Sequence, residues 1–479
     1  MALKNKYQRQ KEQYSTDGGI TWLDVTPPNY RKGNVIETGS DDCNTIEWIE
    51  VEGSWFCIGT DTVTRWVIAT NEYMCSNGNK YQKEKEQISY DNGVTWSDTG
   101  NARNGSLIEA DSEDCIYETQ YLTFEFLESG SLNIVASNAS VAKDISYSTD
   151  NGTTWNTITT STTSQSFGNF TTGDKLLIKG NNSAYATSNI VYNRFYGKTR
   201  VNVYGNIMSL IYGDNFIGRT TISPNYALSG IFDSCTGIVS AENLKLPATT
   251  LTQDCYSHMF WNCTSLVTAP RELPAATLAD YCYYEMFRGC TSLTTAPLLP
   301  ATTLAINCYD GMFMNCSSLT TAPQLPATKL RGYCYAAMFD GCTSLTTAPA
   351  LPATNLTTYC YAAMFDGCTS LTTPPTLSAT TMATQCYAYM FRNCTSLVTA
   401  PVLPATTLKT YCYEQMFKGC TSLNYIKAMF TTTPSTSYTR SWVEGVSSSG
   451  TFVKNAAASW NETGDNGVPS GWTIQTASE

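Results

Sequence analysis

Histidine is almost missing from this chain: His258 is the only one in 479 residues. A Ser-His-Asp or Cys-His relay would have to run through that single imidazole, and zinc sites built on two or three histidines are excluded. His258 lies inside a repeat whose sister copies carry other residues, so it reads as a surface variation. Charge is also scarce. Charged residues make up 14%, and 40 acidic against 29 basic side chains leave a net charge of −11. Binding to nucleic acid, which needs clustered Lys and Arg to displace counterions, is not expected. Docking on an anionic lipid surface is not expected either. No window holds 18 uninterrupted apolar residues, so no transmembrane helix and no membrane insertion are expected. The first ten residues have no apolar signal-peptide core. The chain is therefore expected to fold in a cytoplasm and to reach any outside destination by another route, such as assembly into a virus particle.

What is abundant is repetition. The nonapeptide Cys-Tyr-x-x-Met-Phe-x-x-Cys begins at Cys255, Cys282, Cys308, Cys334, Cys360, Cys386 and Cys412. The step is 27 residues once and 26 thereafter. A degenerate copy runs from Ile231 to Cys235. Within a copy, Cys334, Met338 and Cys342, with Tyr335 and Phe339 beside them, form an apolar stripe at helical spacing. Gly or Asn always precedes the second cysteine, at 262, 289, 315, 341, 367, 393 and 419. Both tolerate left-handed backbone, which predicts a short helix or 3₁₀ turn that stops there. Between nonapeptides runs a segment such as Thr343 to Leu356, whose prolines at 349 and 352 limit any strand to a few residues. One repeat cannot bury its stripe alone, so stacking into a curved solenoid is expected, with extended chain on one face and short helices on the other.

The pattern resembles the BspA-type leucine-rich repeat, a family of bacterial surface proteins, over roughly residues 228 to 425. Its Cys-x-x-Leu and Leu-Pro elements match at Cys316 to Leu319 and at Leu325-Pro326. The chain departs from the family in its 26-residue period and in Met-Phe where Ala-Phe is usual. The resemblance implies adhesion or protein binding without catalysis.

Of 19 cysteines, 14 lie in the nonapeptides and Cys235 in the degenerate copy; the others are Cys43, Cys57, Cys75 and Cys115. On a helix, cysteines eight apart would be about 12 Å apart, beyond the roughly 7 Å a disulfide spans. The spacing is not a CxxC metal pair. A ladder of small buried thiols is expected, with cross-repeat disulfides as the alternative.

Upstream, Lys6 to Trp22 is echoed by Lys80 to Trp96, and Ser-x-Asp-x-Gly-x-Thr-Trp stands at 15–22 and 89–96, with a third copy at 148–155. The octapeptide resembles the Asp box of sialidases and other BNR-repeat proteins. The resemblance implies structural roles for Asp17, Trp22, Asp91, Trp96, Asp150 and Trp155: the carboxylate caps a turn and the indole covers a hairpin. The copies are too unevenly spaced for propeller blades, and no acid/base pair of carboxylates stands out, so a sugar hydrolase is not expected. The modules are also similar to those of gut Bacteroidales proteins and their crAss-like bacteriophages. Residues 121 to about 205 alternate apolar and polar residues, as in 122–126 and 175–179, and read as a small β-sandwich.

The expected architecture is multidomain, with N-terminal all-β modules followed by a leucine-rich-repeat solenoid of short strands and short helices. Its parts are a β module (1–78), a second related module (79–120), a sandwich-like domain (121–205), the solenoid (206–425) and a C-terminal cap (426–479). No catalytic residue, metal or cofactor is nominated. Positions that differ between copies are expected to face solvent and to include the binding residues: Trp261, Tyr284, Glu285, Arg271, Gln324, Tyr389 and Glu414. Paired threonines such as Thr294-Thr295 and Thr346-Thr347 raise ice binding, but they read more simply as solvated strand positions. The expected role is a non-enzymatic phage virion fibre or decoration protein. It would be homo-oligomeric, attached through its N-terminal modules to other virion proteins, and would offer the solenoid to a host surface protein or glycan. A bacterial surface adhesin is the alternative.

Overall fold

A computed structural model of the chain describes residues 5–11, 13–14, 23–24, 30–38, 47–51, 54–59, 62–76, 79–89, 96–109 and 112–477. The chain is mostly β with few, short helices, and the described strands close no barrel. It divides into two compact units, 1–119 and 120–479.

The first unit carries a seven-stranded sheet. Strand Asn79–Ser89 lies between Thr62–Ser76 and Ser97–Glu109 and is antiparallel to both. One sheet thus runs across the expected break at 78/79. The short helix Glu113–Glu118 follows, and its Cys115 is disulfide-bonded.

The second unit opens with two facing sheets. One contains Leu122–Phe126 between Lys175–Gly180 and Val201–Asn206. The other contains Asn133–Ala136 against Val191–Tyr196. Alternation explains the layering: Leu122, Phe124 and Phe126 are buried, as are Leu176 and Ile178. Strand Val201–Asn206 then pairs in parallel with Ile238–Ser240 and Leu244–Lys245. The first repeat therefore extends the sandwich sheet across the expected 205/206 boundary. One buried cluster runs unbroken from Leu122 to Trp472.

In the repeats the nonapeptides are not helices. Their backbone alternates instead. Every second N–H bonds to the next coil: Tyr256 to the Cys282 carbonyl, His258 to Tyr284, Phe260 to Met286 and Asn262 to Arg288, at 2.7–3.0 Å. The residues between them close turns onto their own coil, as Met259 does on Tyr256 and Cys263 on Phe260. This needs left-handed backbone at every fourth residue, and the chain supplies it at Asp254, His258 and Asn262, then at Tyr281, Glu285 and Gly289, and so on. The expected left-handed Gly or Asn is present, but it is the last of three such positions. Most of the others are residues that resist a positive φ by about 1–2 kcal/mol each. Their strain is offset by bonds that no isolated helix could make, since they go to another coil. The extended segments touch through single parallel bridges such as Thr268 to Thr295 and Thr347 to Thr373. The prolines prevent longer ladders.

Inside each coil both cysteines, the first tyrosine, the methionine and the phenylalanine are buried. Tyr256, Tyr283, Tyr309 and Tyr335 stack with ring centroids 5.8 Å apart, and Phe287, Phe313, Phe339 and Phe365 at 5.6–5.7 Å. The second cysteine also makes a specific bond. Cys290 Sγ donates to the Phe260 carbonyl, Cys316 to Phe287, Cys342 to Phe313 and Cys368 to Phe339, each at 3.1 Å. A thiol here is a hydrophobe that can also satisfy a buried carbonyl. Cys235 and all 14 nonapeptide cysteines are free thiols. Since the nonapeptides are not helical, helical spacing is not what keeps them apart.

The Gly/Asn position follows a rule between neighbours. Along the stack it reads Asn262, Gly289, Asn315, Gly341, Gly367, Asn393, Gly419 and Gly445. Each asparagine is followed by glycine, because a Cβ at the next position would run into the asparagine Oδ1, as at Gly419 against Asn393.

The stack also continues past residue 425, where the sequence period fades. Phe417 N–H bonds to the Trp442 carbonyl and Gly419 N–H to that of Glu444, and Ser441 and Gly445 keep the left-handed backbone. Here Trp442 and Val443 fill the places of Met and Phe. The end is a parallel sheet of Tyr425–Ala428, Thr451–Lys454 and Thr473–Thr476, with Trp442, Trp460 and Trp472 buried beside it.

Candidate functional site: the outer face of the nonapeptides

The residues that differ between coils sit at the third, fourth and seventh positions of the nonapeptide, flanked by the residue before its first cysteine. Because the turns repeat every four residues, the fourth and eighth positions share one geometry, and their N–H groups bond the third and seventh positions of the next coil, as His258 does Tyr284 and Asn262 does Arg288.

In the first two coils His258, Trp261 and Tyr284 form an edge-to-face aromatic group, with His258 centred 6.1 Å from Trp261 and 5.2 Å from Tyr284. Glu285 lies under it. Its carboxylate meets Arg288 at 2.7 Å and His258 Nε2 at 3.5 Å. Burial works to raise the Glu285 pKa, but the His258 hydrogen bond and the Arg288 charge outweigh it and the group is held below its ordinary value. One coil on, Asp310 is pushed up to about 7 by burial, helped by the nearby Glu285 charge and opposed by the bond from Asn307. Asp340 is pushed up to about 6 by burial and the charge of Asp366. Asp366 in turn holds Arg392 through Nε at 2.8 Å. Arg392 lies over the ring of Tyr389, and Arg440 pairs with Glu414 while lying over Tyr411. Exposed Tyr333 stacks on Tyr359 at 4.4 Å.

Two expectations are corrected here. Glu285 is 8% exposed and Glu414 1%, so neither faces solvent. A carboxylate next to the core is tolerated because an arginine of the same or the next coil neutralises it. Trp261, Tyr284 and Tyr389 are half-buried, while Arg271 and Gln324 are exposed in the Pro-containing segment and belong to a different part of each coil. Arg271 lies 3.4 Å from Glu242. His258 is a half-buried partner of Glu285, not a plain surface variation. Sequence reasoning missed Asp310, Arg288, Arg392 and Arg440. The signal was present: opposite charges recur at neighbouring positions one period apart, as in Asp366 and Arg392.

The third octapeptide lies on the sandwich hairpin. Asp150 accepts the Thr154 N–H at 2.8 Å and the Thr154 and Ser148 hydroxyls. These bonds, the Thr154 hydroxyl first, hold its carboxyl at about 2. Trp155 donates its indole N–H to the Gly152 carbonyl at 3.1 Å. Of the earlier copies, Asp17, Trp22 and Asp91 lie outside the described residues, and Trp96 has the Arg65 guanidinium 4.1 Å above its ring.

Among the described residues, no group of three or more His, Cys, Asp or Glu is placed to hold a metal ion, and no helix is long and apolar enough to cross a membrane. The outer face is made of paired charges and aromatic edges.

No curated protein and no solved structure matches the chain. The family model described as the BspA type leucine rich repeat region matches residues 227–346 and 335–441, in six copies. None of the three octapeptides lies in those residues. The C-terminal half of this chain thus carries leucine-rich repeats of the BspA type.

Proposed function

We propose that the chain is a non-enzymatic adhesion protein that uses its repeats as a rigid solenoid to hold a partner at a surface. In its finer form, it is a phage virion fibre or decoration protein. The N-terminal β modules would join other virion proteins, the chain would act as a homo-oligomer, and the repeats would contact a host surface protein or glycan. The observation that carries the reading is the division of labour inside one coil. The Cys, Tyr, Met and Phe positions repeat unchanged from Cys255 to Cys420, whereas the third, fourth and seventh positions change coil by coil, some half-buried like Tyr284 and Tyr389 and some buried like Ser257 and Glu414. Packing alone explains the first set. A varied, preorganised outer face is what recognition requires.

The test is binding of the full chain to intact Bacteroidales cells and to mucin, compared with Tyr284→Ala and Tyr389→Ala. At least a tenfold loss in the variants is expected. Equal binding by all three, or none by any, would count against adhesion through this face. The virion assignment is tested by mass spectrometry of purified particles, in which absence of the chain would end it. The alternative, a bacterial surface adhesin, draws on the disulfide at Cys115, a bond that persists in oxidising compartments.

A further inference from the structure

We propose that a groove on the sandwich, between its outer sheet face and the loop 212–219, is a binding site for a neutral saccharide. This is independent of the adhesion reading, which rests on the nonapeptide face. Two adjoining concavities of about 460 and 470 Å³ share Asp214 and Asn215. Each is within the range of small-molecule sites, roughly 300–1,000 Å³.

The floor is made by strand pairing. Thr157 stands opposite Ser146, and Ser146 opposite Lys179. Small hydroxyl side chains thus line the sheet beside one cation. The wall is the loop, and it is fixed in place. Asp214 Oδ1 accepts both the Tyr121 hydroxyl and Lys179 Nζ at 2.7 Å. The Tyr212 hydroxyl donates to the Thr221 carbonyl at 2.8 Å. The Arg219 guanidinium lies 5.1 Å from the Tyr212 ring centre and its Nε bonds the Asn215 carbonyl. Gly213 is needed where the chain turns, since its φ is +54° and a Cβ there would press on the Gly180 carbonyl at 3.2 Å.

A pinned wall loses little freedom when a ligand binds. Both bonds to Asp214 fall on one oxygen, which leaves the other to accept. Thr157, Asn181 and Asn215 are exposed in the groove. The site thus sets hydroxyl, amide and carboxylate groups side by side. Its charges balance, Asp144 and Asp214 against Lys179 and Arg219, in a chain whose net charge is −11. Lys179 is already paired with Asp214 and Arg219 is held against the Tyr212 ring and the Asn215 carbonyl, so an anion gains little there, and a cation meets no excess of carboxylate. A neutral, hydroxyl-rich ligand fits this inventory, because each of its hydroxyls can donate and accept at once.

The probe is a printed panel of neutral oligosaccharides, followed by saturation-transfer NMR of any that bind the full chain. Thr157→Trp fills the groove from an exposed strand position, and Asn215→Ala removes one amide. Binding is expected to fall at least tenfold in Thr157→Trp and measurably in Asn215→Ala, with the melting temperature unchanged. No binding by any neutral saccharide would overturn the proposal. So would equal binding by Thr157→Trp, or a loss that appears in Tyr389→Ala and not in the groove variants. Failure of Tyr389→Ala alone in the cell-binding assay bears on the adhesion reading and leaves the groove standing.

Discussion

Replacing Gly419 by alanine tests the rule that governs neighbouring coils. Two glycines of the same column make a controlled pair. Gly419 has φ +77° and Gly367 has φ +68°, so alanine at either pays a similar left-handed strain of about 1 kcal/mol. Their surroundings differ. A Cβ on Gly367 would meet Gly341 backbone at 3.7 Å and Asp340 Oδ1 at 4.0 Å, which is ordinary contact. A Cβ on Gly419 would come within 2.5 Å of Asn393 Oδ1. The Asn393 amide would have to leave its rotamer, at about 0.5–1.5 kcal/mol, and give up its 3.4 Å approach to Asp366. Gly367→Ala should therefore cost about 1 kcal/mol and Gly419→Ala about 1.5–2.5 kcal/mol. In an Asn393→Gly background the excess should disappear, because the obstructing amide is gone. The assay is the denaturant midpoint of the full chain followed by circular dichroism, with the four variants compared on the same transition. Equal losses for the two alanines would refute the steric account, and so would an excess that survives Asn393→Gly.

Three further outcomes are expected. Burial pushes the nonapeptide thiols up, to about 12 at Cys255 and about 11 at Cys412, so the 15 free cysteines from Cys235 to Cys420 should resist alkylation in the native chain and react only after unfolding, read by mass increase. Cys342→Ala removes a buried side chain and its bond to the Phe313 carbonyl, and should cost about 1–3 kcal/mol in denaturation midpoint; a loss indistinguishable from zero would remove the thiol's bonding role. Asp310 has its pKa raised from 3.8 to about 7, so the native state holds more protons than the unfolded chain between those values. Its contribution is fully present below about pH 4 and is lost as the pH rises through 7. Asp310→Asn should accordingly stabilise the chain at pH 8, on the order of 4 kcal/mol, and leave it unchanged at pH 3; melting curves at the two pH values decide it.

The sequence by itself determined the period, the residues of the spine and the expectation that neighbouring copies share one core, since a strictly repeated set of apolar side chains has to be buried the same way each time. It also placed the left-handed residue before each second cysteine, because only Gly or Asn stands there. Only the tertiary structure decided the conformation of the nonapeptide. Cys, Tyr, Met and Phe at four-residue spacing fit an amphipathic helix and a chain of turns equally well, and the choice falls to N–H groups such as that of Phe260, whose partner is a carbonyl 26 residues away. The same non-local bonding carries one more coil to Trp442 after the apolar signature has gone, and it seats Glu285 and Glu414 against the core. A single strand of text does not show which arginine will lie beside a carboxylate in the next coil, and that neighbour is what makes burial of the charge tolerable.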